Sequence, residues 1–313
     1  MNKPALLLCL VLAACRENDA GPPSAPEPAK KFTSKLGMST SIKKDGISIF
    51  ADPNYGSSIT SLSYNGYEFV DNYDHGRQIQ SAASFDDFGE CYNPTEAGNM
   101  YDPENRTTSI VKHTGVVDNV LSTETDAAFW IPGDLSYSGQ CGTAVPVVRA
   151  AQNKTDTGGY LTQKTVSFGT IPNSVHFQIG WTVPNPHISG TFEFTGYLKQ
   201  EYSDFYTVQN GQLIPLLAGE TQNIGEQPYP IIVTDGLTAM GAYSPTLPQS
   251  TYREAGNGRW KFKSSRVSKW NMVWRDRQIP KDKEYKFDAW LCVGYLEEVK
   301  TCMNQLIQTG GRV

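Results

Sequence analysis

Ser58-Ile59-Thr60-Ser61-Leu62-Ser63-Tyr64-Asn65-Gly66-Tyr67-Glu68-Phe69-Val70 is the stretch that decides the fold class. Asn65-Gly66 supplies two adjacent residues that tolerate positive φ, which a tight two-residue turn between paired strands requires. Ser58–Tyr64 runs into that turn and Tyr67–Val70 runs back, so the stretch reads as a β-hairpin. Toward the N-terminus, Ile47, Ile49 and Ala51 alternate with polar residues, the period of a half-buried strand. Toward the C-terminus, strand-like runs recur at Ser109–His113, Val116–Ser122, Ala127–Ile131, Tyr160–Phe168, Val175–Val183, Thr191–Leu198 and Ile231–Thr234. Trp260–Phe262, Lys269–Trp274 and Lys286–Val293 follow, with Gly, Pro, Asn and Asp between the runs. Only Leu296–Gln308 has helical spacing, in Leu296, Val299, Met303, Leu306 and Ile307, and Gly310-Gly311 ends it. Strands without a strand–helix rhythm predict an all-β fold, a large antiparallel β-sandwich with a short C-terminal helix. No internal repeat or change of composition divides 39–313, so the sandwich is expected to be one domain.

The start of the chain has a different grammar. Met1-Asn2-Lys3, the apolar stretch Pro4–Val11 and Leu12-Ala13-Ala14-Cys15 predict a signal peptide over 1–14. It is too short to span a bilayer, which needs about 20 apolar residues. Leu-Ala-Ala-Cys resembles the bacterial lipobox, which implies cleavage before Cys15 and a diacylglycerol on its thiol. Arg16 follows, where retention in the inner membrane typically shows Asp; that resemblance points to the outer membrane or its periplasmic face. Pro, Ala and charged residues without apolar periodicity make 15–38 a lipidated cysteine and extended tether. The membrane is therefore expected as a partner through the lipid alone.

Across 313 residues, 39% are hydrophobic and 11% aromatic, a globular rather than a disordered balance. The net charge of -5 includes no dominant basic stripe, which argues against a nucleic-acid partner. Of six cysteines, Cys9 leaves with the signal and Cys15 carries lipid. Cys91, Cys141, Cys292 and Cys302 remain for an oxidising compartment, and their pairing is open. Cys292 with Cys302 is the local option, which leaves Cys91 with Cys141. No CxxC, HExxH or EF-hand spacing points to a metal, and no cofactor is expected.

The chemistry concentrates after the first hairpin, in Asp74-His75-Gly76-Arg77-Gln78-Ile79-Gln80 and Glu90-Cys91-Tyr92-Asn93-Pro94-Thr95-Glu96. Planar Arg forks, amides and carboxylates hydrogen-bond hydroxyls and carboxylates, as sugar recognition demands. Gly56–Gly66 followed by Asp74–Gln80 resembles the galactose-mutarotase-like superfamily of carbohydrate-active β-sandwiches. There an early strand, a turn and a Gly-Arg-containing strand open the sandwich. The resemblance implies a mutarotase-like supersandwich and a carbohydrate ligand. Relatives of that kind include mutarotases, epimerases, polysaccharide lyases and hydrolases. Mutarotase chemistry there uses a Glu as base and a His as acid; neither is carried over to a number in this chain.

Read from their own chemistry, four residues are catalytic candidates. His75 is a general acid or base, or a turn-capping histidine. Arg77 clamps a uronate or a hydroxyl, or pairs with Asp71, Asp74 or Glu90. Glu90 and Glu96 form a carboxylate pair suited to glycoside hydrolysis, or accept backbone amides. Gln78, Gln80, Tyr92 and Asn93 are candidate substrate contacts, with Tyr92 alternatively packed beside Cys91. A second cluster lies late in the chain. In Lys269–Arg275 one face carries Trp270, Met272 and Trp274, and the other Lys269, Asn271, Val273 and Arg275. One face enters the core; the polar one could line a sugar groove. Alternation likewise turns Glu193, Thr195 and Tyr197 away from Phe192 and Phe194. Trp270, Asn271, Arg275, Glu193 and Tyr197 complete the substrate-binding candidates. His113, His176 and His187 read as structural or loop histidines. The leading expectation is a carbohydrate-active enzyme using general acid/base chemistry, of epimerase, lyase or hydrolase type. The alternatives are a non-catalytic glycan-binding envelope lipoprotein and a structural envelope protein.

Overall fold

The computed structural model describes residues 40–133, 136–137, 149–150, 152–216, 225–251, 255–262 and 265–312. The expected signal peptide, Cys15, the tether and Cys141 lie outside the described residues. The opening hairpin forms as the sequence dictates. Ser58–Tyr64 pairs with Tyr67–Glu68, and Asn65 and Gly66 adopt φ of 48° and 88°. With Ser41–Lys44 and Ile47–Asp52 they make a four-stranded sheet. Gly56, at φ 60°, closes a 3-10 turn over Pro53–Tyr55. A Cβ there would collide with the backbone carbonyl of Glu96, so the position requires glycine.

Ser136–Tyr137 and Arg149–Ala150 pair by themselves, and the other strands join one long antiparallel sheet. Its centre runs Lys283–Tyr295, Ser174–Val183, Thr157–Phe168, Val120–Phe129, Pro94–Thr95, Gln80–Phe85, His187–Lys199, Val267–Ile279 and Asn257–Phe262. The sheet folds back on itself, and aromatic rings mark the seam. Phe177 meets Phe194 at 5.0 Å, Phe192 meets Tyr285 at 4.4 Å, and Trp274 stacks on Phe287 at 4.5 Å. The seam places Ser174–Val183 and Lys283–Tyr295 face to face with His187–Lys199 and Val267–Ile279. Fully burying one such large apolar side chain contributes about 1.5–3 kcal/mol. The expected sandwich is present, and Trp270 and Trp274 lie on its core side.

One ion pair is sealed inside. Lys164 Nζ meets Glu96 Oε1 with side chains 0% and 1% exposed. Desolvation holds the Lys164 ammonium below its ordinary pKa, against the opposing pull of Glu96. Glu96 also takes the backbone N–H of Ser81 at 2.9 Å.

The C-terminal helix, Leu296–Thr309, docks Val299, Met303 and Leu306 into a second apolar cluster with Ala239 and Trp290. It starts with the Tyr295 N–H on Glu298 Oε2, 2.9 Å away, and stops at Gly310, φ 62°. The disulfide Cys292–Cys302 ties it to the preceding strand.

Candidate functional site

The site is built by strand register. His187–Lys199 pairs with Val267–Ile279 so that Thr191, Glu193, Thr195 and Tyr197 stand opposite Arg275, Val273, Asn271 and Lys269. Directly opposed residues share a face, and Phe192, Phe194, Trp270 and Met272 take the other side, inside the core. On one flank Gly258 and Trp260 oppose Asn271 and Lys269, and Glu226 opposes Gly258. On the other flank Gln80 opposes Thr195. The result is a polar face spanning Gln80, Thr195, Asn271, Gly258 and Glu226 across the sheet.

Glu193 lies at its centre. Its Oε2 accepts from Asn271 Nδ2 at 3.1 Å and lies 3.5 Å from Lys269 Nζ, while 29% of the side chain stays exposed. Desolvation alone would raise this carboxyl. Lys269, the Asn271 amide and Arg275 outweigh it and hold the group below its ordinary value of 4.5. Glu193 is thus a carboxylate at neutral pH, with a hydrogen-bond acceptor open to solvent. The Lys269 ammonium lies 5.0 Å from the Trp260 ring centroid and 5.2 Å from that of Tyr197. Arg275 grips both oxygens of Glu226, one at 2.8 Å, and its backbone N–H donates to Gln249 at 2.9 Å. Each cation on this face therefore has a carboxylate beside it.

Apart from Gln80, the segment after the hairpin borders this face rather than forming it. The Asp71 N–H donates to the Tyr197 carbonyl at 3.0 Å. Arg77 reaches Asp71 and Asp74, each at 3.4 Å, and its guanidinium lies 4.9 Å from the centre of the Tyr73 ring. Gln78 donates to Asn72 and to the Asp74 carbonyl. His75 is buried against Tyr55, with Nδ1 2.7 Å from the Ala97 carbonyl oxygen and Nε2 2.9 Å from that of Pro103. Gln80 accepts the Ala97 N–H at 3.0 Å and donates to the His75 carbonyl at 3.2 Å. Those contacts brace loops.

Glu90 sits partly buried in the 3-10 turn Gly89–Tyr92. Glu96 is in the core with Lys164, so the two carboxylates do not face one open space as a pair. Asn93 accepts from Thr95 Oγ1 at 2.6 Å. Tyr92 ends a hydrogen-bonded chain. Asp86 meets His187 at 2.7 Å, His187 meets Tyr160 at 2.8 Å, and Tyr160 meets Tyr92 at 2.9 Å. Burial pushes both tyrosine hydroxyls up.

Of the residues singled out in the sequence, Glu193, Tyr197, Asn271 and Arg275 come together, whereas Trp270 points away into the core at 0% exposure. Glu226 and Gly258 went unsingled. Gly225–Gln227 is too short a strand to show alternation. Gly258, inside a strand, carried a usable signal of close approach. Among the described residues no cluster of three or more His, Cys, Asp or Glu side chains is arranged to hold a metal. An open groove of about 870 Å³ lies elsewhere, between Pro53-Asn54 and 103–111. It offers one cation, Arg106, and no carboxylate, so the polar face is the better-equipped site.

No family model matches the chain, and no curated protein does. Among solved structures, it is similar in fold to a galactose mutarotase-related enzyme from Lactobacillus acidophilus. That likeness has a TM-score of 0.45 at 9% identity, covering 82% of this chain and 97% of that one. A galactose mutarotase-like protein from Lactobacillus casei gives 0.45 at 8% identity, covering 81% and 99%. A 4-alpha-glucanotransferase from Thermococcus litoralis gives 0.43 at 10% identity over 81% of this chain; the chain spans only 39% of that protein.

Proposed function

We propose that the protein binds a carbohydrate on the polar face of its long sheet, with Glu193 as the ionised acceptor for sugar hydroxyls. The observation that carries this is the state of Glu193: partly exposed, held as a carboxylate by Lys269, Asn271 and Arg275, and bordered by Tyr197 and Trp260. A fixed carboxylate and an amide orient hydroxyls, and aromatic rings suit the apolar faces of sugars. Lys269 and Arg275 each already face a carboxylate, which favours an uncharged sugar over a uronate. Calorimetric titration with neutral and uronate oligosaccharides tests this. Binding of a neutral glycan, weakened at least about tenfold in Glu193→Gln, is expected for loss of a charge-assisted hydrogen bond. Equal affinity in the variant would overturn it.

A second reading, acid/base turnover of the same sugar, is favoured by the ammonium of Lys269 standing 3.5 Å from the Glu193 carboxylate. It predicts that anomeric exchange or bond cleavage, followed by NMR, is lost in Lys269→Met while the fold is retained. The N-terminal grammar supports an envelope lipoprotein held by acyl chains on Cys15. Mass spectrometry of the mature N-terminus should find diacylglycerol there, and Cys15→Ser should release the protein from membranes.

A further inference from the structure

Asn271 Oδ1 and Trp260 Nε1 are buried on this face and have no hydrogen-bond partner among the described residues. Their residues are 2% and 7% exposed. The Trp260 ring and the Asn271 amide meet over Gly258, where a Cβ would collide with the Cη2–Cζ3 edge of the indole and with Asn271 Oδ1. The ring therefore lies across the glycine with the amide oxygen beside it. Turning the amide over does not relieve the orphan. Asn271 Nδ2 donates to Glu193 Oε2 at 3.1 Å, and the flipped amide would aim oxygen at carboxylate. The Lys269 ammonium, 5.0 Å from the ring centroid, holds the indole in place. A buried carbonyl oxygen without a donor is unfavourable, and a donor brought by a ligand would satisfy it.

We propose that Trp260 is a movable cover over a hydroxyl-binding subsite. The ring swings off Gly258, a ligand hydroxyl donates to Asn271 Oδ1, and the indole stacks on the apolar face of the same sugar. This rests on the sugar-binding reading above and adds the residue that opens the site. Glu193 and Asn271 are then two acceptors for hydroxyls of one ring, joined through the Nδ2 bond, and Gly258 is the residue that lets the cover close.

The test uses the mature full-length protein labelled with 5-fluorotryptophan, the Trp260 resonance being assigned with Trp260→Phe. Titration with methyl galactoside, methyl glucoside and maltose should move that resonance while leaving Trp181 in place. Trp260→Ala should weaken binding by about tenfold or more, and Trp260→Phe by no more than about threefold. Sugar binding by calorimetry with an unmoved Trp260 resonance would overturn the cover and leave the sugar-binding reading intact. If none of these sugars binds, the sugar-binding reading fails. The cover is then judged without ligand, in Gly258→Ala, by the solvent-isotope shift of Trp260. A shift larger than in the unaltered protein supports an opening ring, and no change overturns it. Should Gly258→Ala fail to fold, the same shift in Lys269→Gln decides with the same two outcomes.

Discussion

Glu193 shows how a single residue acquires its chemistry from its neighbours. Its folded pKa is depressed, so its stabilising contribution is complete above the unfolded value of about 4.5 and is lost as pH falls through the lower folded value. The stability difference between the unaltered protein and Glu193→Gln should be constant near neutrality and shrink below about pH 4.5, as urea unfolding across pH would measure. A difference that grows on acidification would contradict the assignment. Alternation alone made Glu193, Tyr197, Asn271 and Arg275 legible, because a period of two needs only the strand to exist. It did not distinguish Glu96, Gln80 or His75 from ligand contacts. Their environments come from Lys164, Ala97 and Pro103, and nothing local in the sequence encodes those meetings.

At the scale of elements, Asn65-Gly66 and the terminal helix were legible because each carries its own chemistry. The helix runs Leu296–Thr309, one residue beyond the spacing pattern, before Gly310 takes positive φ. Over 109–131 the sequence pattern suggests three runs, Ser109–His113, Val116–Ser122 and Ala127–Ile131, where the structure has two. Two long strands, Ile110–Val117 and Val120–Phe129, turn at Asp118-Asn119, both with positive φ. Asp and Asn tolerate that conformation through their short polar side chains, a weaker signal than Asn-Gly. Gln80–Phe85 was hidden because Ser81 stands with Ala83 and Phe85 on its buried face, while Ala82 sits between Gln80 and Ser84 on the other, which blurs the alternation. The helix has its own test. Cys302→Ser removes the link to Cys292 and should cost about 2–4 kcal/mol in chemical denaturation, the usual worth of a short-loop disulfide. Loss of less than about 1 kcal/mol would mean that Val299, Met303 and Leu306 hold the helix alone.

For the whole molecule, the alternating runs declare an antiparallel sandwich but not the order of its strands. Gln80–Phe85 lies beside His187–Lys199, and Ser174–Val183 beside Lys283–Tyr295, pairings between segments about a hundred residues apart that no local pattern states. The Lys164–Glu96 pair, sealed between strands brought together by that order, reports on the assembled sandwich. Glu96→Gln should destabilise by about 3–5 kcal/mol, since it strands a buried ammonium, whereas Lys164→Met with Glu96→Leu should recover most of the loss. Thermal and urea unfolding of the two variants would check this, and equal losses in both would contradict a paired, desolvated site.

The central claim is that the polar face over Glu193 and Asn271 receives a sugar. A crystal structure with a bound neutral glycoside tests it most directly. The account predicts a sugar hydroxyl within hydrogen-bond distance of the open oxygen of Glu193, and a second one on Asn271 Oδ1 with Trp260 moved aside. A sugar seated in the groove beside Arg106 instead, with the Glu193 face unchanged, would contradict it.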